Sequence, residues 1–427
     1  MAVLYITVIV PQTQVYAQGI PQDLNLYATA AVLMDAQSGR ILYGKNVDLV
    51  LPMASTTKIM TAIIVLENTQ MDEIVDISAY AASMPEVKLF VKKGEQFLVR
   101  DLLYAMMLES HNDVAVALAE HVGKSLLENE LRDMSAADYT TVQSKSAVAA
   151  FAGLMNEKAK ELGAQSTHFI TPNGLDAQES VLGADGQIQM VDHSTSATDL
   201  ARIMSYCILE SPKREEFLTI TQMPSHYLTS LDGRPFQCTN HNAFLSMMDG
   251  VISGKTGFTA KAGYCYVGAL RRGERTYVVA LLACGWPNHK TYKWSDTRKL
   301  MQYGLDYYST EFFKDVAYPQ DQLGEILVED GCPMVYGEEA RVPVEIVDRG
   351  HDPLHGGVLL REDEDIRVLC KMEESLQAPI EKGTQAGVIY YMVDDHVYAT
   401  ERIVTTRAVE KLDYVWSFKQ LLSSFMM

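Results

Sequence analysis

Ser55 and Lys58 stand three residues apart at the head of a strongly apolar stretch, a spacing that puts both on one helical face. Burial strips a lysine of part of its charge, and a neutral amine beside a hydroxyl takes its proton and makes it a nucleophile. A helix start adds free backbone N–H groups and positive potential, which favour an oxyanion developing at Ser55. A second polar set, Ser110-His111-Asn112-Asp113, interrupts an otherwise apolar helical pattern. Ser110 can relay a proton there, and the Asn112 amide can hold a substrate amide or orient Lys58. A third set, Lys255-Thr256-Gly257-Phe258, lies on a strand beside a hairpin. Lysine with threonine can hold a carboxylate, and glycine leaves room for a substrate backbone along the strand. Each set alone also has a plain structural reading: a capping serine before a solvent-reaching lysine, an N-cap, and a strand-end turn.

The elements around these sets follow from pattern. Pro52 suits a first helical turn, and Ile59 to Leu66 is apolar all round, so a buried helix opening at Ser55 is expected. Residues 30–35 and 40–43 read as a hairpin about Gln37-Ser38-Gly39, and 79–98 as loop with a short strand. Residues 100–122 read as two helices broken at Ser110, and 124–146 as a polar surface excursion. Helices follow at 151–162, 197–209 and 296–308, with a strand pair, 262–270 and 275–283, about Arg272-Gly273. The expected class is α+β, an antiparallel sheet flanked by helices with a helical subdomain. Beyond Pro319 short β-rich runs alternate with Gly, Asp and Glu turns, which predicts a small all-β, sandwich-like domain of roughly 90 residues without a catalytic set.

The chain has 427 residues, 48% hydrophobic and 21% charged, enough for two domains. A net charge of −19 argues against a nucleic-acid partner and against electrostatic attachment to anionic lipid. The six cysteines are scattered without C-x-x-C spacing, so no recognisable zinc motif is present, and their pairing is left open. Residues 3–10 form a short apolar run before Val15-Tyr16-Ala17, which reads as a signal peptide over 1–17 and implies export, although no basic residue precedes the run. At the other end Tyr414, Val415, Phe418, Leu421, Leu422 and Phe425 recur at helical spacing. This amphipathic helix, 408–427, is too short to span a bilayer comfortably and suits the membrane interface; the alternative is packing on its own domain.

In combination the three sets, Ser-x-x-Lys, Ser-x-Asn and Lys-Thr-Gly in that order, resemble the low-molecular-mass penicillin-binding proteins, specifically the serine-type D-alanyl-D-alanine carboxypeptidases of the β-lactamase-like superfamily. The resemblance spans about Tyr27 to Phe313 and includes the flanks Pro52-Met53-Ala54, Thr171-Pro172-Asn173-Gly174-Leu175 and Gly254 to Tyr264. It implies a DD-peptidase catalytic domain over 24–314, a C-terminal domain over 318–405, and hydrolysis of the terminal D-alanine from peptidoglycan pentapeptides. It further implies acylation by β-lactams, a role in peptidoglycan biosynthesis and cell shape, action at the extracytoplasmic membrane face or cell wall, and no metal or organic cofactor. Position by position, Ser55 resembles the acylated nucleophile, Lys58 its base and Ser110 the proton relay; Asn112, Lys255, Thr256, Gly257 and Phe258 resemble the substrate-binding set. The backbone N–H groups of Ser55 and Phe258 resemble the oxyanion hole. His111 departs from the family's usual glycine, and its imidazole introduces a pH dependence near neutrality as an expectation. A β-lactamase and a non-hydrolytic penicillin-binding sensor are the alternatives.

Overall fold

The computed structural model describes residues 23–128, 132–182, 186–317, 323–335, 337–347 and 356–418. The leader 1–17 and residues 419–427 of the terminal helix lie outside them. The chain divides into two compact units, Met1–Tyr307 and Tyr308–Met427.

The first unit is built on a five-stranded antiparallel sheet of β1 (Ala30–Asp35), β2 (Ile41–Lys45), β3 (Val251–Thr259), β4 (Gly263–Arg272) and β5 (Arg275–Leu282), in the order β2-β1-β5-β4-β3. All six residues of β1 are buried, as are Tyr277 to Leu282 of β5, so these central strands are covered on both faces. That is why they read as continuous apolar runs rather than alternating ones. β3 pairs with β4 and ends the sheet. Helix α1 (Lys58–Asn68) packs on α2 (Val99–Glu109), α3 (Asn112–Gly123) and α4 (Thr141–Glu161) to form the helical subdomain. Helices α5 (Ala197–Ser205), α6 (Arg214–Gln222) and α7 (Tyr292–Tyr307) complete the unit; α5 and α7 pack on β1 and β5.

Two local expectations give way. The helix does not open at Ser55: residues Ala54–Thr57 form a tighter 3-10 turn, and α1 begins at Lys58. The Thr56 hydroxyl donates to the Met53 carbonyl at 2.6 Å and the Thr57 hydroxyl to the Ala54 carbonyl at 2.8 Å, tying off the turn. Likewise α4 begins at Thr141, ten residues earlier than the apolar pattern alone implied. Thr140 and Gln143 form a capping box there, a signal within the segment read as a polar excursion. Gly123 of α3 lies so close to α4 that an added Cβ would sit 2.0 Å from the Ala147 carbonyl oxygen.

The second unit carries a six-stranded sheet in the order Arg367–Met372, Gln385–Val393, His396–Thr405, Arg341–Val347, Glu325–Glu329, Ser375–Gln377. A separate antiparallel pair joins Ser309–Phe312 to Gly357–Leu360. Its core includes Phe313, Val358, Leu360, Ile389, Tyr391 and Ile403. Near the end of the described residues, Asp413 Oδ1 accepts from the Trp416 N–H at 2.7 Å and starts a helical turn at Tyr414. Tyr414, Val415 and Phe418 are exposed there. Among the described residues no helix is long and apolar enough to cross a membrane. All six cysteines are free thiols, with Cys207, Cys238, Cys265 and Cys284 buried.

Candidate active site

Ser55 sits on the 3-10 turn with its hydroxyl facing Lys58, whose Nζ lies 3.0 Å from Ser55 Oγ. Lys58 is fully buried. Its Nζ donates to Asn112 Oδ1 at 2.9 Å and to the Asn173 carbonyl oxygen at 2.6 Å. Burial, with the Lys255 charge adding to it, holds the Lys58 amine well below the ordinary lysine range; Asp113 opposes the shift.

The junction between α2 and α3 presents the second set. Ser110 ends α2 in the left-handed region, at φ 70° and ψ 31°, which turns the chain sharply so that α3 starts again at Asn112. The Asn112 N–H donates to the Val87 carbonyl at 2.7 Å and its side-chain amide to the Pro85 carbonyl at 3.3 Å, which fixes Oδ1 toward Lys58. Asp113 is buried and accepts from the N–H groups of Leu89 and Val91, so its charge is held by backbone donors.

Edge strand β3 presents the third. Lys255 Nζ donates to Ser110 Oγ at 2.9 Å and to the Thr256 carbonyl at 3.0 Å. Burial pulls the Lys255 amine down to about 7. Gly257 lies directly against the serine's turn: an added Cβ would meet Ser55 N at 2.9 Å and Thr56 N at 3.0 Å. Thr256 is half-buried and Phe258 is exposed, with its ring tilted against Tyr264 at 4.6 Å. The structure thus brings together two hydrogen-bonded groups, Ser55–Lys58–Asn112 and Ser110–Lys255, joined through the backbone of the α2–α3 junction, with Gly257 walling the serine.

Several contributors had no place in the expected site. The Asn173 carbonyl comes from a loop held over the serine's turn, where Gly174 adopts φ +82° and an added Cβ would sit 2.0 Å from the Ala54 carbonyl oxygen. Behind the turn His193 is buried, and its Nδ1 accepts from the Ile170 N–H at 3.0 Å. Its Nε2 therefore carries the proton and donates to Thr57 Oγ1 at 2.8 Å, consistent with burial pulling the imidazole down to about 3. His111 points back from the cleft toward Glu109, with Nε2 3.3 Å from Glu109 Oε2. Burial lowers the His111 imidazole below its ordinary value, contrary to the neutral-pH titration expected of it. Together with Cys238 it forms a three-residue cluster that no local spacing announces.

The sheet with its helical subdomain is the fold of the DD-peptidases: the structure of penicillin binding protein 5 from Haemophilus influenzae matches 92% of this chain and 100% of its own, with a TM-score of 0.63 at 23% identity. The chain belongs to the D-alanyl-D-alanine carboxypeptidase family, peptidase S11, whose model matches residues 17–129 and 142–283. Residues 358–411 match the penicillin-binding protein 5 C-terminal domain. The D-alanyl-D-alanine carboxypeptidase DacF of Bacillus subtilis is 26% identical over 409 residues, covering 94% of this chain and 91% of that protein. The solved structure of a point mutant of the Streptomyces K15 DD-transpeptidase aligns at 30% identity with a TM-score of 0.53, covering 67% of this chain and 100% of that one.

Proposed function

We propose that this protein is a serine D,D-carboxypeptidase that removes the terminal D-alanine from peptidoglycan stem peptides through an acyl-enzyme on Ser55. The observation that carries this reading is the setting of Lys58. A neutral amine has two N–H groups and one lone pair; Asn112 Oδ1 and the Asn173 carbonyl take the two N–H groups, which leaves the lone pair for the Ser55 hydroxyl. Lys58 takes the Ser55 proton as Oγ attacks the carbonyl carbon of the scissile bond. The backbone N–H groups of Ser55 and Phe258 receive the oxyanion, and the close approach of Gly257 to Ser55 N brings the two segments together. Ser110 passes a proton to the departing D-alanine amine as the C–N bond breaks and takes in return the proton held by Lys58, which restores the neutral amine. Water, deprotonated by Lys58, then cleaves the ester and restores the serine. Lys255 and Thr256 hold the substrate's terminal carboxylate, Asn112 its amide, and the exposed Phe258 face borders the peptide. The same serine opens the ring of a β-lactam, which resembles the D-Ala-D-Ala end.

The chemistry uses no metal or organic cofactor. The substrate puts the enzyme outside the cytoplasm, with residues 1–17 as leader, the unit ending at Tyr307 rather than at 314 as catalytic domain, the unit from Tyr308 as spacer or interaction domain, and the helix that starts at Tyr414 rather than at 408 resting on the membrane surface. The exposed Tyr414, Val415 and Phe418 support that contact.

The test is a fluorescent penicillin and, separately, a D-Ala-D-Ala peptide, with wild type beside Ser55→Ala. Wild type is expected to hold a stable label and release D-alanine, and Ser55→Ala to do neither. Label without D-alanine release identifies a sensor, rapid loss of label a β-lactamase, and activity in Ser55→Ala a different nucleophile.

A further inference from the structure

Behind the cleft wall, Glu109, His111 and Cys238 converge from two segments distant in sequence, and their ligand atoms all lie within 4.8 Å of one another. Glu109 ends α2, His111 stands at the junction, and Cys238 lies on the strand Pro235–Thr239. The Thr239 N–H donates to Glu109 Oε1 at 2.8 Å, which holds the carboxylate facing His111. His111 is only 3% exposed, with a backbone hydrogen bond at Ala105 and its Nε2 lying 3.3 Å from Glu109 Oε2. A neutral imidazole that donates from one nitrogen offers the lone pair of the other, and Nε2 is the one beside the Glu109 carboxylate.

We propose that Glu109, His111 and Cys238 form a site for one borderline-soft divalent cation of the Zn²⁺ class. One sulfur, one imidazole nitrogen and one carboxylate oxygen are the donors such an ion selects, with water in a fourth, tetrahedral position. Magnesium and calcium demand oxygen sets and are disfavoured. Bonds of about 2.0–2.3 Å to a tetrahedral ion place ligand atoms roughly 3.3–3.8 Å apart, so the cluster needs to contract by about 1 Å. The Glu109 side chain is 24% exposed and gives the ion its approach from solvent. On binding, a sulfur–metal bond forms, the Cys238 thiol proton leaves to water, and neutral His111 contributes a lone pair. The Thr239 N–H on Glu109 acts as the outer support that orients the ligand. An ion here lies one residue from both Ser110 and Asn112 and braces the junction that presents them.

This site stands independently of the acyl-enzyme reading. The test is titration of the reduced, metal-free full-length protein with Co²⁺. Expected are one Co²⁺ per chain with sulfur-to-cobalt charge-transfer absorption, displacement by Zn²⁺, and no effect of excess Mg²⁺. Cys238→Ala should abolish the charge-transfer band, and His111→Gly should weaken binding by at least about tenfold, a difference of about 1.4 kcal/mol. Glu109→Gln, nearly equal in shape, should weaken it with the thermal melting curve unchanged, which guards against a folding failure in the other two. A missing band, a band that survives Cys238→Ala and so belongs to another thiol, or wild-type affinity in His111→Gly with its melting curve intact would overturn the proposal.

Discussion

Two buried lysines share one small site here, and their requirements are opposite. In the proposed mechanism Lys58 must be neutral to accept the Ser55 proton, so activity falls as pH drops through its lowered pKa. Lys255, as the proposed carboxylate grip, must be charged, so activity falls as pH rises through its own, about 7 in the free protein. The profile of kcat/KM is therefore expected to be bell-shaped with its alkaline limb near neutrality. In Lys255→Arg, whose guanidinium stays charged, that limb should move up while the acidic one holds. Lys255→Met removes the cation that depresses Lys58 and should shift the acidic limb of penicillin acylation to higher pH. Steady-state and acylation rates from mildly acidic to alkaline pH check both, and an acidic limb unmoved in Lys255→Met would break the coupling between the two amines. At this scale the residue types that converge on the cleft, and their spacing, were legible in sequence. The lowering of Lys255, the role of the Asn173 carbonyl and the turn of His111 toward Glu109 were not, because burial and through-space charge belong to no local segment.

Elements set how near these groups come. The edge strand β3 and the Ser55 turn touch through Gly257, where a side chain has no room and the opposing atoms are backbone. Gly257→Ala is expected to push the strand and turn apart, slow penicillin acylation by at least tenfold, and cost about 1–3 kcal/mol from overpacking. Acylation kinetics and a denaturant midpoint measure the two effects, and wild-type kinetics would show that the contact yields cheaply. The apolar runs of β1 and β5 and the break at Ser110 could be read directly, because covered strands and interrupted helices leave a periodic trace. The start of α1 could not: propensity allows a helix through Ser55, whereas the loop carrying Gly174 and the hydroxyls of Thr56 and Thr57 favour the tighter turn. For α4 the error lay in following apolar period over the Thr140–Gln143 capping box.

For the whole molecule, the proposed arrangement of a catalytic unit, a β-rich unit and a terminal membrane-surface helix makes attachment separable from chemistry. A chain ending at residue 413, which keeps Val409 in the core of the second unit, is expected to keep its penicillin label and lose sedimentation with lipid vesicles. Equal vesicle binding by both chains would assign attachment elsewhere. The net charge of −19 leaves that contact to apolar side chains rather than to anionic headgroups, so it should resist added salt. What the sequence determined by itself was the α+β class, the all-β texture beyond Pro319 and the order of three short polar motifs, since each is written in spacing within a few residues. Only tertiary structure decided that Lys58 bonds Ser55 and Asn112, that Lys255 bonds Ser110, that His193 braces the turn from behind, and that Glu109, His111 and Cys238 face one another. Those are contacts between segments tens to hundreds of residues apart, and packing of the sheet against its helices sets their distances and their dielectric surroundings.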